Sequence, residues 1–507
     1  MNPVRNSMTA EHSTKRKISN RMNRRDFLKL TGSTLATASL PSFVSATDNH
    51  SAKKLNFIFI LIDDMGWTDA GCYGSTFYET PNIDKLAAEG MLFTDAYAAS
   101  PVCSPTRASI MTGKYPARLG ITQWIGAPDK PTKYVHNMPL EEVTIAEAFK
   151  EAGYATAFIG KWHLGEEEKY YPEKQGFDIN KGGWRAGHPW DGYFSPYRNP
   201  KLEDGSKGEY LTDRLTDESL KFLDANKDKP FLLFLSHYAV HTPLQAKENH
   251  IEKYKTKAAN SPPPKGPEYL DEENNIKTKL IQDNPIYAAM IQSTDESVGR
   301  VMDKLDELGV ADNTAVIFMS DNGGLSTQPR KSPTANIPLR AGKGWLYEGG
   351  IREPMIIKWP GVVKPSSVCN EPVISNDFYP TMLEMAGLLQ QPNQHRDGVS
   401  LVPLLRQTGK LNRKAIYWHY PHYHGSGTRP SGAVRAGNYK LIEWFEGNRT
   451  ELYNLKDDIS EKHELSAQMP KKTAQLRKML HNWRKSVNAR MPKPNPKYSF
   501  DAGNKTG

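Results

Sequence analysis

Cysteine is scarce in this chain: three residues in 507. An odd count leaves at least one thiol without a disulfide partner, so a fully stapled scaffold is excluded. Long apolar runs are missing as well. No uninterrupted stretch reaches membrane-spanning length, and membrane insertion is not expected. There is no internal repeat. A strong charge imbalance is lacking too, despite a formal net charge of +9. Residues 1–46 hold eight Lys/Arg against two Asp/Glu, which leaves the remainder at only +3. That balance gives no argument for nucleic acid as a partner, and any attraction to polyanions must be local.

What is present starts with a leader. Asn23-Arg24-Arg25-Asp26-Phe27-Leu28-Lys29 resembles a twin-arginine export signal, and a modestly apolar stretch runs on to Val44-Ser45-Ala46, a plausible cleavage site. Residues 1–46 are therefore set aside as a removed leader, with 1–21 read as an upstream extension, and the mature protein is expected in the periplasm. The remaining length suits one large domain plus a smaller one. Cys72 and Cys369 could pair with each other, although the reading favours separate buried thiols.

Four apolar runs, 55–62, 155–160, 231–236 and 315–320, read as buried, parallel strands, and each ends in polar residues. The first meets Asp63-Asp64, the second Lys161-Trp162-His163, the third His237 and then His241, the fourth Asp321-Asn322-Gly323. Helix signals lie between them. Thr80-Pro81 opens a helix closed by Gly90, Thr144 and Glu147 form a capping box, and 213–226 and 285–308 carry helical periodicity. Strands alternating with helices imply a layered α/β sheet whose ligands gather beyond the carboxyl ends of the strands. Residues 255–284 are polar and Pro-rich, and read as an excursion or flexible loop. From about 413 the pattern changes: strands at 415–420, 433–435, 439–445 and 451–455 precede a helix near 471–487, a small α+β domain with an antiparallel sheet. The organisation expected is a large domain over 47–412, a subdomain over 413–490 and a loose tail over 491–507.

Cys103-Ser104-Pro105-Thr106-Arg107 stands apart from this scaffolding. Pro105 after Ser104 starts a helix that Gly113 can end, which puts Cys103 at a helix N-terminus, where an anion is favoured. Asp63, Asp64, Asp321 and Asn322 offer only hard oxygen ligands, a set that suits Ca²⁺, or Mg²⁺ in a tighter site, and disfavours zinc. Lys161, His163, His241 and Lys343 are the positive groups that an anionic ester needs. Lys343 lies between Gly342 and Gly344, which lets it approach a ligand closely. Arg107, one helical turn after Cys103, can hydrogen-bond back toward it.

The stretch from Cys103 to Arg107 matches C-x-P-[ST]-R, and Thr112 extends the match. Gly153 to His163 matches a second signature, and Asp63-Asp64, His241-Thr242-Pro243, Asp321-Asn322-Gly323 and Gly342-Lys343-Gly344 follow in order. On these residues, over about 55–490, the chain resembles the type I, formylglycine-dependent sulfatases of the alkaline phosphatase-like superfamily. The resemblance implies a large mixed, mainly parallel sheet flanked by helices, followed by the smaller C-terminal α+β domain with its antiparallel sheet. It implies that a maturation enzyme converts Cys103 to formylglycine (3-oxoalanine), whose hydrate attacks sulfur. It implies one Ca²⁺ held by Asp63, Asp64, Asp321, Asn322 and the modified Cys103. Lys161, His241 and Lys343 would contact sulfate, His241 would protonate the leaving oxygen, His163 would deprotonate the second hydroxyl and Arg107 would orient the diol. An ordinary Ser or Cys lacks that second hydroxyl and would remain a trapped ester.

Residues 182–198, with Trp184, Arg185, His188, Trp190 and Tyr193, combine aromatic platforms with polar groups as a sugar subsite would. His419, His422, His424 and Arg429 form a second such cluster, read as a loop over the catalytic pocket. The expected substrate is a sulfated mono- or oligosaccharide, desulfated in an exo-acting manner. Two other readings stay open: a phosphate or phosphonate ester hydrolase of the same superfamily, and a catalytically silent glycan-binding relative.

Overall fold

The computed structural model describes residues 53–262, 266–272, 276–327 and 332–495. The leader at 1–46 lies outside the described residues, as does most of the tail. Eight strands form the main sheet: β1 (Asn56–Ile62), β2 (Met91–Phe93), β3 (Ala155–Gly160), β4 (Ile179–Lys181), β5 (Phe231–Ser236), β6 (Thr314–Ser320), β7 (Met355–Lys358) and β8 (Ser367–Cys369). Their spatial order is β8-β2-β7-β6-β1-β5-β3-β4. β1 pairs in parallel with β5 and β6, and β5 with β3, whereas β7 runs antiparallel to both β6 and β2.

The central strand shows why the sheet sits between two helical layers. Every residue of β1 is buried. Phe57, Phe59 and Leu61 join one apolar core, while Ile58, Ile60 and Ile62 join the other across the sheet. Alternation by two sends neighbouring side chains to opposite faces, so a strand apolar throughout needs cover on both. That cover includes α1 (Pro81–Glu89), α2 (Cys103–Thr112), α3 (Ile145–Glu151), α4 (Leu211–Asn226) and α5 (Pro285–Glu307). Thr144 and Glu147 form the capping box of α3, as the sequence predicts. The predicted polar loop at 255–284 begins differently. Residues 255–260 finish a helix, Glu248–Asn260, whose buried Ile251 and Tyr254 give it an apolar face, and Lys257 pairs with Glu79 at 2.8 Å.

Four further strands, β9 (Ile416–Tyr420), β10 (Ser431–Ala436), β11 (Tyr439–Trp444) and β12 (Thr450–Asn454), form an antiparallel sheet in chain order, backed by α6 (Pro470–Ser486). A third apolar core with Trp345, Trp418, Trp444 and Trp483 binds this layer to the rest. Charge is buried in the same seam. Lys440 on β11 sits between Glu348 (2.8 Å) and Glu461 (2.9 Å), all three fully buried. Among the described residues no helix is long and apolar enough to cross a membrane, and all three cysteines are free, Cys72 and Cys369 only partly buried.

Candidate active site

Strand register fixes the site. Leu61 pairs with Ser236, Ile62 with Ser320 and Gly160 with Ser236, so β1, β3, β5 and β6 stop at one edge. The next residues, Asp63, Lys161, His237 and Asp321, emerge there together. Two of the turns are strained: Asp64 and His163 hold φ of 61° and 56°, a left-handed conformation uncommon for residues with a Cβ. Hydrogen bonds hold the first of them. Asp63 N–H donates to Ala239 O, Asp64 N–H to Asp321 Oδ1 and Met65 N–H to Ser320 Oγ.

Cys103 is the first helical residue of α2, with Val102 as the cap residue and Gly113 in the left-handed region at the other end. The helix thus starts one residue before the expected Ser104. Instead of capping, Ser104 Oγ accepts from Ile125 N–H at 3.0 Å. Cys103 Sγ is buried and lies with carboxylate oxygens of Asp63 and Asp321 in a cluster whose ligand atoms are all within 4.8 Å of one another. His163 Nδ1 is 3.4 Å from that sulfur. His163 Nε2 faces Ile125 O at 2.9 Å, and a carbonyl only accepts, so Nε2 carries the proton and Nδ1 presents a lone pair to position 103. Burial, then Lys161, hold the imidazole well below its ordinary pKa.

The cations divide into a deep set and a lining set. Lys161 Nζ is 2.6 Å from Asp63 Oδ2, both fully buried. Arg107 places Nε and Nη2 2.8 Å from Asp321 Oδ2, and Nη1 2.7 Å from both Lys161 O and Ser236 Oγ. Its fork therefore holds Asp321 and the β3–β5 edge, and no hydrogen bond to Cys103 is found among the described residues. Lys343, His241, His163 and Cys103 line a cleft of about 880 Å³. Lys343 Nζ is 2.6 Å from Asp64 Oδ1. Its flanking glycines serve packing: a Cβ on Gly342 would meet Gly324 O at 2.3 Å, and one on Gly344 would meet His424 Nδ1 at 2.5 Å. His241 Nδ1 donates to Thr242 O at 2.7 Å, and Nε2 lies 3.7 Å from Asp64 Oδ2. Burial and Lys343 lower its pKa to about 3.

The acids carry the complementary strain. Burial raises Asp63 to about 8; Lys161 opposes this, and the charges of Asp321 and Asp64 reinforce it. Asp63 Oδ1 and Asn322 Oδ1 are buried with no hydrogen-bond partner, although Asn322 Nδ2 donates to Asp64 Oδ1 at 2.8 Å. Crowded buried carboxylates and two unpartnered oxygens are what a hard divalent cation satisfies, so the donor set fits Ca²⁺.

The cleft also takes residues that no motif marked. Gln123 to Gly126, Lys130, Glu166 and Tyr423 line it. Of the histidine cluster on the small domain, only His424 reaches it. His422 is buried against Thr122 Oγ1 at 2.8 Å, and His419 against Arg490 O at 2.9 Å. Glu353 also escaped the sequence reading. It is fully buried with neither carboxyl oxygen partnered, and burial together with Asp321 and Asp64 keeps its pKa far above the ordinary range.

Comparison with known proteins places the chain in a family. Residues 55–388 match the sequence model of the sulfatase family, and residues 341–488 match that of the N-sulphoglucosamine sulphohydrolase C-terminal region. A sulfatase of Formosa agariphila is 33% identical over 84% of this chain and 87% of its own length. The human N-acetylgalactosamine-6-sulfatase is 33% identical over 72% of this chain and 68% of its own. Among solved structures, Ps i-CgsB in complex with k-i-k-neocarrahexaose superposes with a TM-score of 0.70 at 32% identity, covering 85% of this chain and 93% of that one. Such matches define a sulfuric ester hydrolase of alkaline phosphatase-like fold. Within that class, the chain belongs to the type I sulfatases.

Proposed function

We propose that this sulfatase removes sulfate from a sulfated mono- or oligosaccharide in an exo-acting manner, using formylglycine at position 103 and one Ca²⁺. The observation that carries the reading is the shared pocket: Cys103 Sγ among the Asp63 and Asp321 carboxylates, 3.4 Å from the lone pair of His163. Sγ stands in for the oxygens of the modified residue. When present, hydrated formylglycine supplies a nucleophile with a second hydroxyl and Ca²⁺ supplies Lewis-acid charge beside it, the latter held by Asp63, Asp64, Asp321 and Asn322.

The chain's own residues do the rest. Lys343 and, once protonated, His241 bind the sulfate oxygens from the cleft wall, whereas Lys161, expected as a third sulfate contact, is fully buried on Asp63 and is not part of the cleft lining. His241 in its neutral form offers only the Nε2 lone pair to the cleft, so protonating the leaving oxygen requires the doubly protonated ring. The negative charge of a bound sulfate ester favours that ring; burial and Lys343 oppose it. His163 Nδ1 takes the proton from the second hydroxyl at position 103. Arg107 keeps Asp321 aimed at the pocket. The same reading assigns catalysis to residues 47–412, gives 413–490 the part of the rim that holds Tyr423 and His424, and treats 1–46 as a leader for export to the periplasm.

The names of relatives support carbohydrate substrates: an N-acetylgalactosamine-6-sulfatase and a protein solved with a neocarrahexaose. The test is a panel of mono- and oligosaccharides sulfated at defined hydroxyls, assayed beside phosphate esters, with mass spectrometry across residue 103 of protein from its native host. Sulfate release from chain ends with an aldehyde at 103 is expected. An intact thiol with retention of glycan would instead make it a binding protein, and faster phosphate release would make it a phosphoesterase.

A further inference from the structure

The cleft is larger than one sugar needs. At about 880 Å³ it lies near the top of the range of about 300–1,000 Å³ typical of ligand sites. Its outer wall is a connected row of rings and charge. His188 lies nearly parallel to His241, with centroids 6.4 Å apart and planes 21° apart, and nearly parallel to Trp190 at 6.1 Å and 14°. Trp190 packs on Trp184 at 5.7 Å, and the Arg185 guanidinium sits 5.4 Å from the Trp190 ring. The row therefore leads from the sulfate end of the pocket outward to Trp190 and Arg185.

The two tryptophans do different jobs. Trp184 is 7% exposed and fills core, whereas Trp190 is 53% exposed within a cleft wall. A large ring left half in water at the edge of a concave site marks a binding surface, and a flat aromatic face suits the C–H face of a sugar ring. Arg185 is exposed, and among the described residues no carboxylate lies within ion-pair distance of it. Glu166, the one acid lining the cleft, does not neutralise it, and Lys130 adds a second cation to the rim. An unpaired guanidinium 5.4 Å from an indole centroid keeps its planar donor fork free for a two-oxygen anion.

We propose that Trp190 and Arg185 form a second subsite, which holds the sugar adjacent to the one losing sulfate and reads an anionic group, a sulfate ester or a carboxylate, on that neighbour. This rests on the sulfatase reading of the site but is tested by binding, which does not need turnover. The probe protein is the full chain with Cys103→Ala. The ligands are a monosulfated galactose and three disaccharides carrying it, whose neighbouring sugar is neutral, sulfated or a uronic acid. Calorimetry should show the charged-neighbour disaccharides bound about tenfold tighter than the neutral one, the size expected of one charge-assisted pair. The sulfated and uronic arms then tell which anion is preferred. Adding Arg185→Ala should bring that ratio close to one, with Arg185→Lys in between. Adding Trp190→Ala should reduce the advantage of every disaccharide over the monosaccharide, and Trp190→Phe should restore most of it. Equal affinity for all three disaccharides, or a ratio that survives Arg185→Ala, overturns the proposal. Discrimination that persists in a protein releasing no sulfate from any ester would sink the hydrolytic reading and leave the subsite standing.

Discussion

Replacing Arg107 by alanine tests whether the buried acid cluster is built for a cation. The side chain is 2% exposed, and its fork engages Asp321 Oδ2 at 2.8 Å twice and two acceptors at 2.7 Å. Alanine leaves Asp321 fully buried without its guanidinium, while Ser236 Oγ still has Lys161 O at 2.8 Å. Removing one partner of a buried ion pair costs about 3–5 kcal/mol. For a chain of this size, an unfolding entropy of about 2.1 cal/mol/K per residue turns that into a fall in melting temperature of about 3–5 °C. The fall should be fully seen in EDTA. Saturating calcium should shrink it, because a divalent cation between Asp63 and Asp321 neutralises the same carboxylate, and by linkage the variant should bind calcium more tightly than the parent. Scanning calorimetry of both proteins in EDTA and in calcium decides. An unchanged melting temperature in EDTA, or a larger deficit in calcium, refutes the electrostatic account.

Three further outcomes follow from the same geometry. His163→Ala, assayed by rapid mixing with an aryl sulfate, should release about one alcohol per site and then stall, with steady kcat down by about 10²–10⁴; sustained turnover near the parent rate would remove His163 as the base. Gly160→Ala should destabilise β3 and cost activity together, since Gly160 has φ of 109° and a Cβ there would lie 1.8 Å from Ser236 O, directly before Lys161; a folded variant with parental kcat/KM would show that this edge can relax. Acid stability should track buried histidines: burial, then Arg484, lower His419 to about 3, and burial lowers His422 to about 4, both from 6.5. The unfolded chain binds the extra protons, so their stabilisation is complete above about pH 6.5 and is lost as the pH falls toward 4, at about 1.4 kcal/mol per unit for each. His422→Gln should flatten the melting-temperature profile in that window, and an unaltered slope would count against the assignment.

What the sequence made legible follows from burial on both faces. β1, β3, β5 and β6 are apolar but for Asn56, Thr156, Ser236, Thr314 and Ser320, so periodicity and length located them within a residue. β2, β4 and β8 have three residues each and β7 four, too few for any pattern to stand out, yet they complete the sheet. The polar residues after the four long strands were readable as one edge, because parallel strands end together. Details set by long-range packing were not. Helical spacing pointed Arg107 back at Cys103, but Asp321, 214 residues away, takes its fork. Spacing also made His419, His422 and His424 look alike. Only the third faces the cleft, because His419 lies within β9 and His422 is drawn to Thr122, 300 residues earlier.

The charge buried at that edge has no economy as architecture. Asp63, Asp64, Asp321, Arg107 and Lys161 are all 2% exposed or less, at the edge of a sheet whose long strands are mostly apolar. Exchanging such a set for well-packed apolar side chains is often neutral or stabilising for a fold. Contrast the Lys440, Glu348 and Glu461 cluster: its acids share one lysine, and Glu348 also engages Arg352 at 3.2 Å and Tyr97 Oη at 2.6 Å, which joins two layers. At the edge that carries Asp63 and Asp321, by comparison, Asp63 Oδ1 and Asn322 Oδ1 are buried without hydrogen-bond partners, and Asp64 and His163 accept left-handed backbone. Local rules broken together at one place, while the surrounding strands obey them, mark where the chain bears strain for chemistry. Under the proposed function, the two unpartnered oxygens are the acceptors that a bound hard cation would engage.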